Sequence, residues 1–401
     1  MGEYSGQEAA ERAGVGVDDV RQLVELRILQ PAAGDRFSDG DVRRLAFVQS
    51  FVAAGVPLEG LAAEIDSGNL SLAWLDSPTF ESFASFSGVT FQDLSMQTGV
   101  PVELLMVVRE AIGAALPAPE DRVREDEMAI VPLIHAQVEA GFNHATIERA
   151  LRAIGDSMRR VAEVEADWFR SEVIGRLASG KTGAEIAAIA SQFRELFAPL
   201  SEQARRAIHQ AHEARAITTN VIGGFEAQLA SMGLASRTDR PPAMCFLDIT
   251  GYTRLTQERG DAAAADLAEQ LARLVHRASV KHGGRPVKWL GDGVMFHFRD
   301  PGPGVVAALE MVEGVAEAGL PPAHVGLHAG PVIFQEGDYY GQTVNVASRI
   351  AEYARQGEVV VSQAVVDASG GAPVSYTEIG PVELKGVAGA MRLHAAHRPD
   401  K

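Results

Sequence analysis

Sulfur and positive charge are both scarce in this 401-residue chain, which holds one cysteine and sets 36 Lys and Arg against 53 Asp and Glu for a formal charge of −17. A lone cysteine, Cys245, excludes an intrachain disulfide, and its neighbours Met244 and Phe246 predict a buried strand position rather than a reactive thiol. The acidic balance argues against broad attraction to nucleic acid or anionic lipid. No apolar run approaches the length of a bilayer span, and the polar stretch Met1 to Glu11 does not read as a secretion signal, so a cytoplasmic protein is expected. Aromatics make up only 6% of the residues, but the 46% hydrophobic content suits an Ala-rich globular chain of two or three domains. No fixed-period repeat or low-complexity tract is present, which sets aside solenoids and disordered tails.

What is present changes along the chain. Apolar residues recur at helical spacing through Ala9, Ala10, Ala13 and then Val20, Leu23, Val24, which predicts a module of small helices over residues 1–75. Residues 76–232 read as an all-α domain, with helices expected at Val102 to Leu116, Glu127 to Ala140, His144 to Ile174, Gly183 to Phe197 and Glu202 to Met232. The breaker-rich GLASRTDRPP marks a linker at 233–242. From 243 to 401 the pattern becomes mixed α/β. AMCFLDI reads as a buried strand and PVKWL and VMFHF as strands around a Gly-Asp-Gly turn, with further strands at HVGLHAG, VIFQ and EVVVS and helices between.

Two carboxylates stand at strand ends in this last region. Asp248 closes an apolar strand before Ile249-Thr250-Gly251, and Asp292 sits in Gly291-Asp292-Gly293. Such a pair suits two Mg²⁺ ions on a triphosphate, although a turn carboxylate alone equally well bonds local amides. The combination FLDITGYT, VKWLGDG and GDYYGQTVNVASR, in this order and spacing, resembles the class III nucleotidyl cyclase catalytic domain, and the resemblance spans about residues 241 to 395.

That resemblance implies a ferredoxin-like α/β (α+β) fold acting as a head-to-tail homodimer, with ATP as substrate and cyclic AMP and pyrophosphate as products. It assigns Asp248 and Asp292 to two Mg²⁺ or Mn²⁺ ions per site, and Lys288 and Asp338 to the purine edge. Asn345 orients the ribose, Arg349 stabilises the transferring phosphoryl group, and Lys385 binds the phosphates. A lysine and a carboxylate satisfy the acceptor and donor of adenine, whereas guanine presents the reverse pattern. Asp248 and Asp292 of one copy are expected to meet Lys288, Asp338, Asn345 and Arg349 of the other. The pattern departs at His324, where many relatives carry an arginine; a shorter, neutral imidazole there weakens the phosphate contact, and protonation is expected to restore part of it.

Gly175 to Thr182 satisfies the P-loop pattern literally, but the charged, amphipathic stretch before it reads as helix, so a helix end followed by a new helix near Thr182 is expected. The first module resembles a MerR-type helix-turn-helix. Through Leu70 it carries six arginines against twelve acids, a net of −6, so protein interaction or dimerisation is expected rather than DNA binding. The middle helices resemble the regulatory domain of actinobacterial cyclases, which implies restraint of the catalytic pair and a pH or lipid signal, with a passive scaffold as the alternative. A DNA-binding regulator that merely senses nucleotide is the competing reading, and the retained catalytic residue types argue against it.

Overall fold

Local capping fixes where the first helices begin. Ser5 and Glu8 form a reciprocal capping box at α1 (Gly6–Ala13), α2 (Val17–Glu25) follows, and Ser38 and Asp41 cap α3 (Asp39–Ala53) before α4 (Leu58–Asp66). Residues 3–76, 85–177, 179–234, 240–251, 257, 260–291 and 293–399 are described by the computed structural model, which divides into units at 1–215 and 216–401.

In the first unit, α1 to α4 enclose a core of Ala9, Leu23, Leu29, Phe37, Leu45 and Leu75, with an Ala32–Arg36 bridge between α2 and α3. A second core forms around β1 (Phe86–Thr90), α5 (Phe91–Thr98), α6 (Val102–Ala111), β2 (Arg122–Arg124), α7 (Glu125–Met128), α8 (Val131–Glu139) and the start of α9 (His144–Phe169). This region is helical as expected, with one addition: β1 and β2 pair as a two-stranded antiparallel ribbon. Beneath it lies a buried ion pair, in which Arg109 Nε donates to Glu127 at 2.6 Å and Arg109 Nη2 to the carbonyl of Arg122 at 2.6 Å. Its hydrogen bonds offset the cost of burying both charges.

A π-helical turn, Arg170–Gly175, follows α9, and α10 (Gly183–Ser231) then runs as one helix where two were expected. Pro199 lies inside it: proline removes one backbone bond and strains the preceding turn, but here it does not end the helix. The literal P-loop is not one. A helix precedes it, and Thr182 forms a capping box with Glu185 at the start of α10. Among the described residues no helix is long and apolar enough to cross a membrane.

The second unit carries β3 (Ala243–Ile249), α11 (Asp261–Lys281), β4 (Gly284–Leu290), β5 (Gly293–Phe298), α12 (Pro301–Glu317) and β6 (Ala323–Ala329). Then come β7 (Ile333–Gln335), β8 (Asp338–Tyr340), α13 (Gln342–Tyr353), β9 (Val359–Ser362), α14 (Gln363–Ala368), β10 (Ser375–Glu383) and β11 (Ala390–His397). The seven-stranded sheet runs β10-β11-β9-β6-β3-β5-β4, and β7 pairs with β8 in a separate hairpin. Within it, β3-α11-β4-β5-α12-β6 in the spatial order β6-β3-β5-β4, antiparallel throughout, is a ferredoxin-like βαββαβ unit.

The period of two along each strand decides which side chains face the helices. Cys245 and Leu247 of β3, Phe296 and Phe298 of β5, and Val325 and Leu327 of β6 pack into the main core with α11 and α12. Each fully buried phenylalanine contributes about 1.5–3 kcal/mol. Cys245 is fully buried, and burial pushes its thiol well above the ordinary range. The alternate residues Met244 and Met295 face the other side, against Tyr339 and Ala347. There α13 lies directly on β6: a Cβ at Gly326 would come within 2.1 Å of the Ala351 backbone nitrogen, so only glycine fits.

Candidate active site

Asp248 is the next-to-last residue of β3 and takes the period that points away from the main core. Its side chain is half-exposed, and its strand neighbour in register on β6 is His324. The His324 imidazole, mostly buried, places Nε2 3.7 Å from Asp248 Oδ2 and Nδ1 3.3 Å from Thr250 Oγ1. His324 therefore faces the carboxylate end of the sheet. Asp292 lies outside the described residues. A Cβ on Gly293 would come within 3.3 Å of Asp248 Oδ1, so the absence of a side chain there lets the start of β5 lie close against that carboxylate.

Hard carboxylate oxygens at the mouth of a tight turn fit a divalent cation that completes its shell with substrate phosphates. Among the described residues no group of three or more His, Cys, Asp or Glu forms a closed metal cage. An open, substrate-completed site needs none.

Lys288 is exposed on the edge strand β4, and Asp338 opens β8. The structure brings them together in a direct hydrogen-bonded ion pair between Lys288 Nζ and Asp338 Oδ2. Asp338 Oδ1 accepts the Tyr339 backbone N–H at 2.8 Å, which fixes the carboxylate plane. These two residues are 50 positions apart in sequence, and the β7–β8 hairpin returns the chain to β4.

The helix α13 presents the next pair. Its buried stripe of Thr343, Val346, Ala347, Ile350 and Ala351 faces the sheet, and Thr343 Oγ1 ties the first turn to the Pro331 carbonyl at 2.7 Å. Asn345 and Arg349, four residues apart, share another face. Asn345 is exposed, and Arg349 Nη1 is held by Glu352 at 2.6 Å. That i,i+3 pair is solvent-accessible and contributes little to stability. Lys385 is exposed in the turn between β10 and β11, next to the buried Leu384.

Reading the sequence by motif passes over His297 and Tyr339. His297 is the one polar side chain in the apolar strand GVMFHF, and that misfit was the available signal. Its ring stacks on Tyr339 with centroids 4.3 Å apart and planes 5° apart. Burial, helped by the Arg285 charge, pushes His297 down from 6.5 to about 4, and burial pushes the Tyr339 hydroxyl up.

Residues 235–397 match the family of adenylate and guanylate cyclase catalytic domains. A pH-sensitive adenylate cyclase of Mycobacterium tuberculosis is 29% identical over 77% of this chain and 78% of its own length. An adenylate cyclase of Streptomyces coelicolor is 27% identical over 67% of this chain and 68% of its own. Among solved structures, an adenylyl cyclase of P. aeruginosa aligns over 40% of this chain and 96% of its own at 20% identity and a TM-score of 0.36. Residues 235–397 are a nucleotidyl cyclase catalytic domain, and the protein is an enzyme of the adenylate cyclase class.

Proposed function

We propose that the protein converts ATP to 3′,5′-cyclic AMP and pyrophosphate at sites shared by two copies of its catalytic domain, under control of its N-terminal half. The observation that carries the choice of purine is the Lys288–Asp338 pair. The ammonium donates to adenine N1, and the carboxylate accepts from the N6 amino group; guanine would set donor against donor and acceptor against acceptor. Asn345 orients the ribose, while Arg349 and Lys385 neutralise the phosphates. The ribose 3′ oxygen forms a bond to the α-phosphorus and loses its proton, and the bond from that phosphorus to the bridging oxygen breaks to release pyrophosphate. Asp248 and Asp292 hold two Mg²⁺ or Mn²⁺ ions, which when bound lower the pKa of the ribose hydroxyl and screen the triphosphate.

A large apolar patch beside the Lys288–Asp338 pair supports a second copy as the partner. Trp289, Leu290, Ile333, Phe334 and Tyr340 are 45–63% exposed in one chain, and exposed apolar side chains gathered on neighbouring strands suit a protein interface. Alanine at Lys288 or Asp338 should cut kcat/KM for ATP by about 10–100-fold and narrow the preference over GTP, since each leaves one edge of the base unpaired. Steady-state rates with both nucleotides check this. An unchanged ATP to GTP ratio would remove Lys288 and Asp338 from base recognition.

The first module supports an interaction role better than DNA binding, because three of its six arginines are engaged inside the unit. Arg12 pairs with Glu125 at 2.7 Å, Arg43 donates to the Leu75 carbonyl at 2.7 Å, and Arg44 bridges Asp41 and Asp76. The helical half also holds a cavity of about 360 Å³ lined by Leu70, Trp74, Phe169, Ile174, Ile186 and Arg194. Its lining is mostly apolar, so an acyl chain complements the cavity. Residues 237–401 alone should be several-fold more active than the full chain at equal dimer occupancy if the helical half restrains catalysis. Equal activity at every pH and lipid condition would refute restraint.

A further inference from the structure

Asp338 rides on a hairpin that forms a sheet of its own, so its position depends on how that hairpin is fastened to the main sheet. One fastening is the Lys288 ion pair, an exposed contact that the substrate itself must open. A second is the packing of Tyr339 on Met244 and Met295, and a third, the ring stack with His297, also belongs to the protein alone. His297 lies in β5, opposite Met244 on β3 and Arg285 on β4, and is anchored by strand pairing on both sides. Its ring lies flat on Tyr339, the residue whose N–H fixes the Asp338 carboxylate. Phe334, across the hairpin from Tyr339, packs on the same ring at 5.0 Å, and the Arg285 guanidinium covers Phe334 at 5.2 Å. A continuous set of contacts therefore runs from β5 of the main sheet to the carboxylate.

We propose that His297 is a positioning residue for purine selection: by stacking on Tyr339 it fixes the β7–β8 hairpin so that Asp338 meets the base edge in one register. This rests on the base-reading role proposed above for Lys288 and Asp338. His297 itself touches no substrate. Its imidazole supplies a flat face of the right size, and because the ring is neutral over the ordinary assay range it does so without competing for the Asp338 charge. The demand for flatness is strict, because a hydrogen-bonding site discriminates between bases only while its donors and acceptors stay in register.

The experiment measures kcat and KM of the full-length protein with ATP and with GTP, alongside thermal melting, for wild type, Asp338→Ala, His297→Leu, His297→Phe, Tyr339→Leu and the His297→Leu/Tyr339→Leu double variant. His297→Leu should raise the ATP KM about tenfold, lower kcat less than about threefold and shrink the ATP to GTP preference about tenfold. His297→Phe, which restores a flat ring, should stay within about twofold of wild type. Tyr339→Leu should match His297→Leu, and the double variant should be no worse than either, as expected when one contact is broken twice. If His297→Leu does not fold, Tyr339→Leu, whose change lies on the hairpin, decides the question.

Wild-type KM and selectivity in the leucine variants, or equal losses in His297→Phe, would overturn the inference. A loss confined to kcat would also overturn it. A wild type that uses GTP as well as ATP, or an Asp338→Ala variant with unchanged selectivity, defeats the base-reading role itself. If Asp338→Ala loses selectivity and the leucine variants keep it, that role stands and the positioning by His297 fails.

Discussion

Asp248→Ala should reduce cyclic AMP formation at least about a thousandfold while leaving the melting temperature within about two degrees of wild type. The large effect follows from the placement of the carboxylate at the end of β3, where its neighbours are Gly293 and His324 rather than hydrophobic core. Its side chain is 46% exposed, so truncation opens no cavity and costs little folding energy. A second reading separates binding from chemistry: titration of Mn²⁺ into the apo-protein with a non-cyclisable ATP analogue should show weakened metal binding in the variant. Activity within tenfold of wild type would remove Asp248 from the metal site.

Mixing two dead variants should restore activity. If one copy supplies Asp248 and the other Arg349, a dimer of Asp248→Ala with Arg349→Ala contains one intact site and one that is doubly damaged. Random re-pairing of equal amounts makes half the dimers mixed, so the recovered rate should be about a quarter of wild type against a background near zero. The contacts within one chain fall into separate groups. Asp248 lies with His324 and Thr250, whereas Lys288 is clasped to Asp338 and Arg349 to Glu352. Mixed dimers that form, as seen by differential tagging, and stay inactive would rule out shared sites.

The elements that carry the candidate site were legible in the sequence wherever the local backbone leaves a signature. AMCFLDI alternates between two faces and ends in a carboxylate, and QTVNVASR spaces its apolar stripe at helical period, so β3 and α13 could be placed from pattern alone. The ferredoxin-like order followed from resemblance, and the strand pairing bears it out. What stayed hidden depends on contacts between distant segments. The hairpin of β10 and β11 escaped because SYTEIGPVE is polar, contains Gly380 and Pro381 and is broken by a bulge. The β1–β2 ribbon escaped because its second strand is only three residues, Arg122–Arg124. Continuity of α10 through Pro199 runs against the local rule and needs the rest of the helix to hold it. The His297–Tyr339 stack spans 42 positions and follows no motif, although a histidine inside GVMFHF was already out of place.

Because Cys245 is the chain's one cysteine and is sealed in the core of β3, the native protein presents no accessible thiol to an alkylating reagent. A cysteine placed on any exposed position would then react alone, without first stripping the background. One spin label or fluorophore per copy, set for instance at Lys281 on the far end of α11, gives a single intermolecular distance in a dimer and none in a monomer. The buried sulfur thus makes the separation of two copies directly measurable in the otherwise unmodified protein.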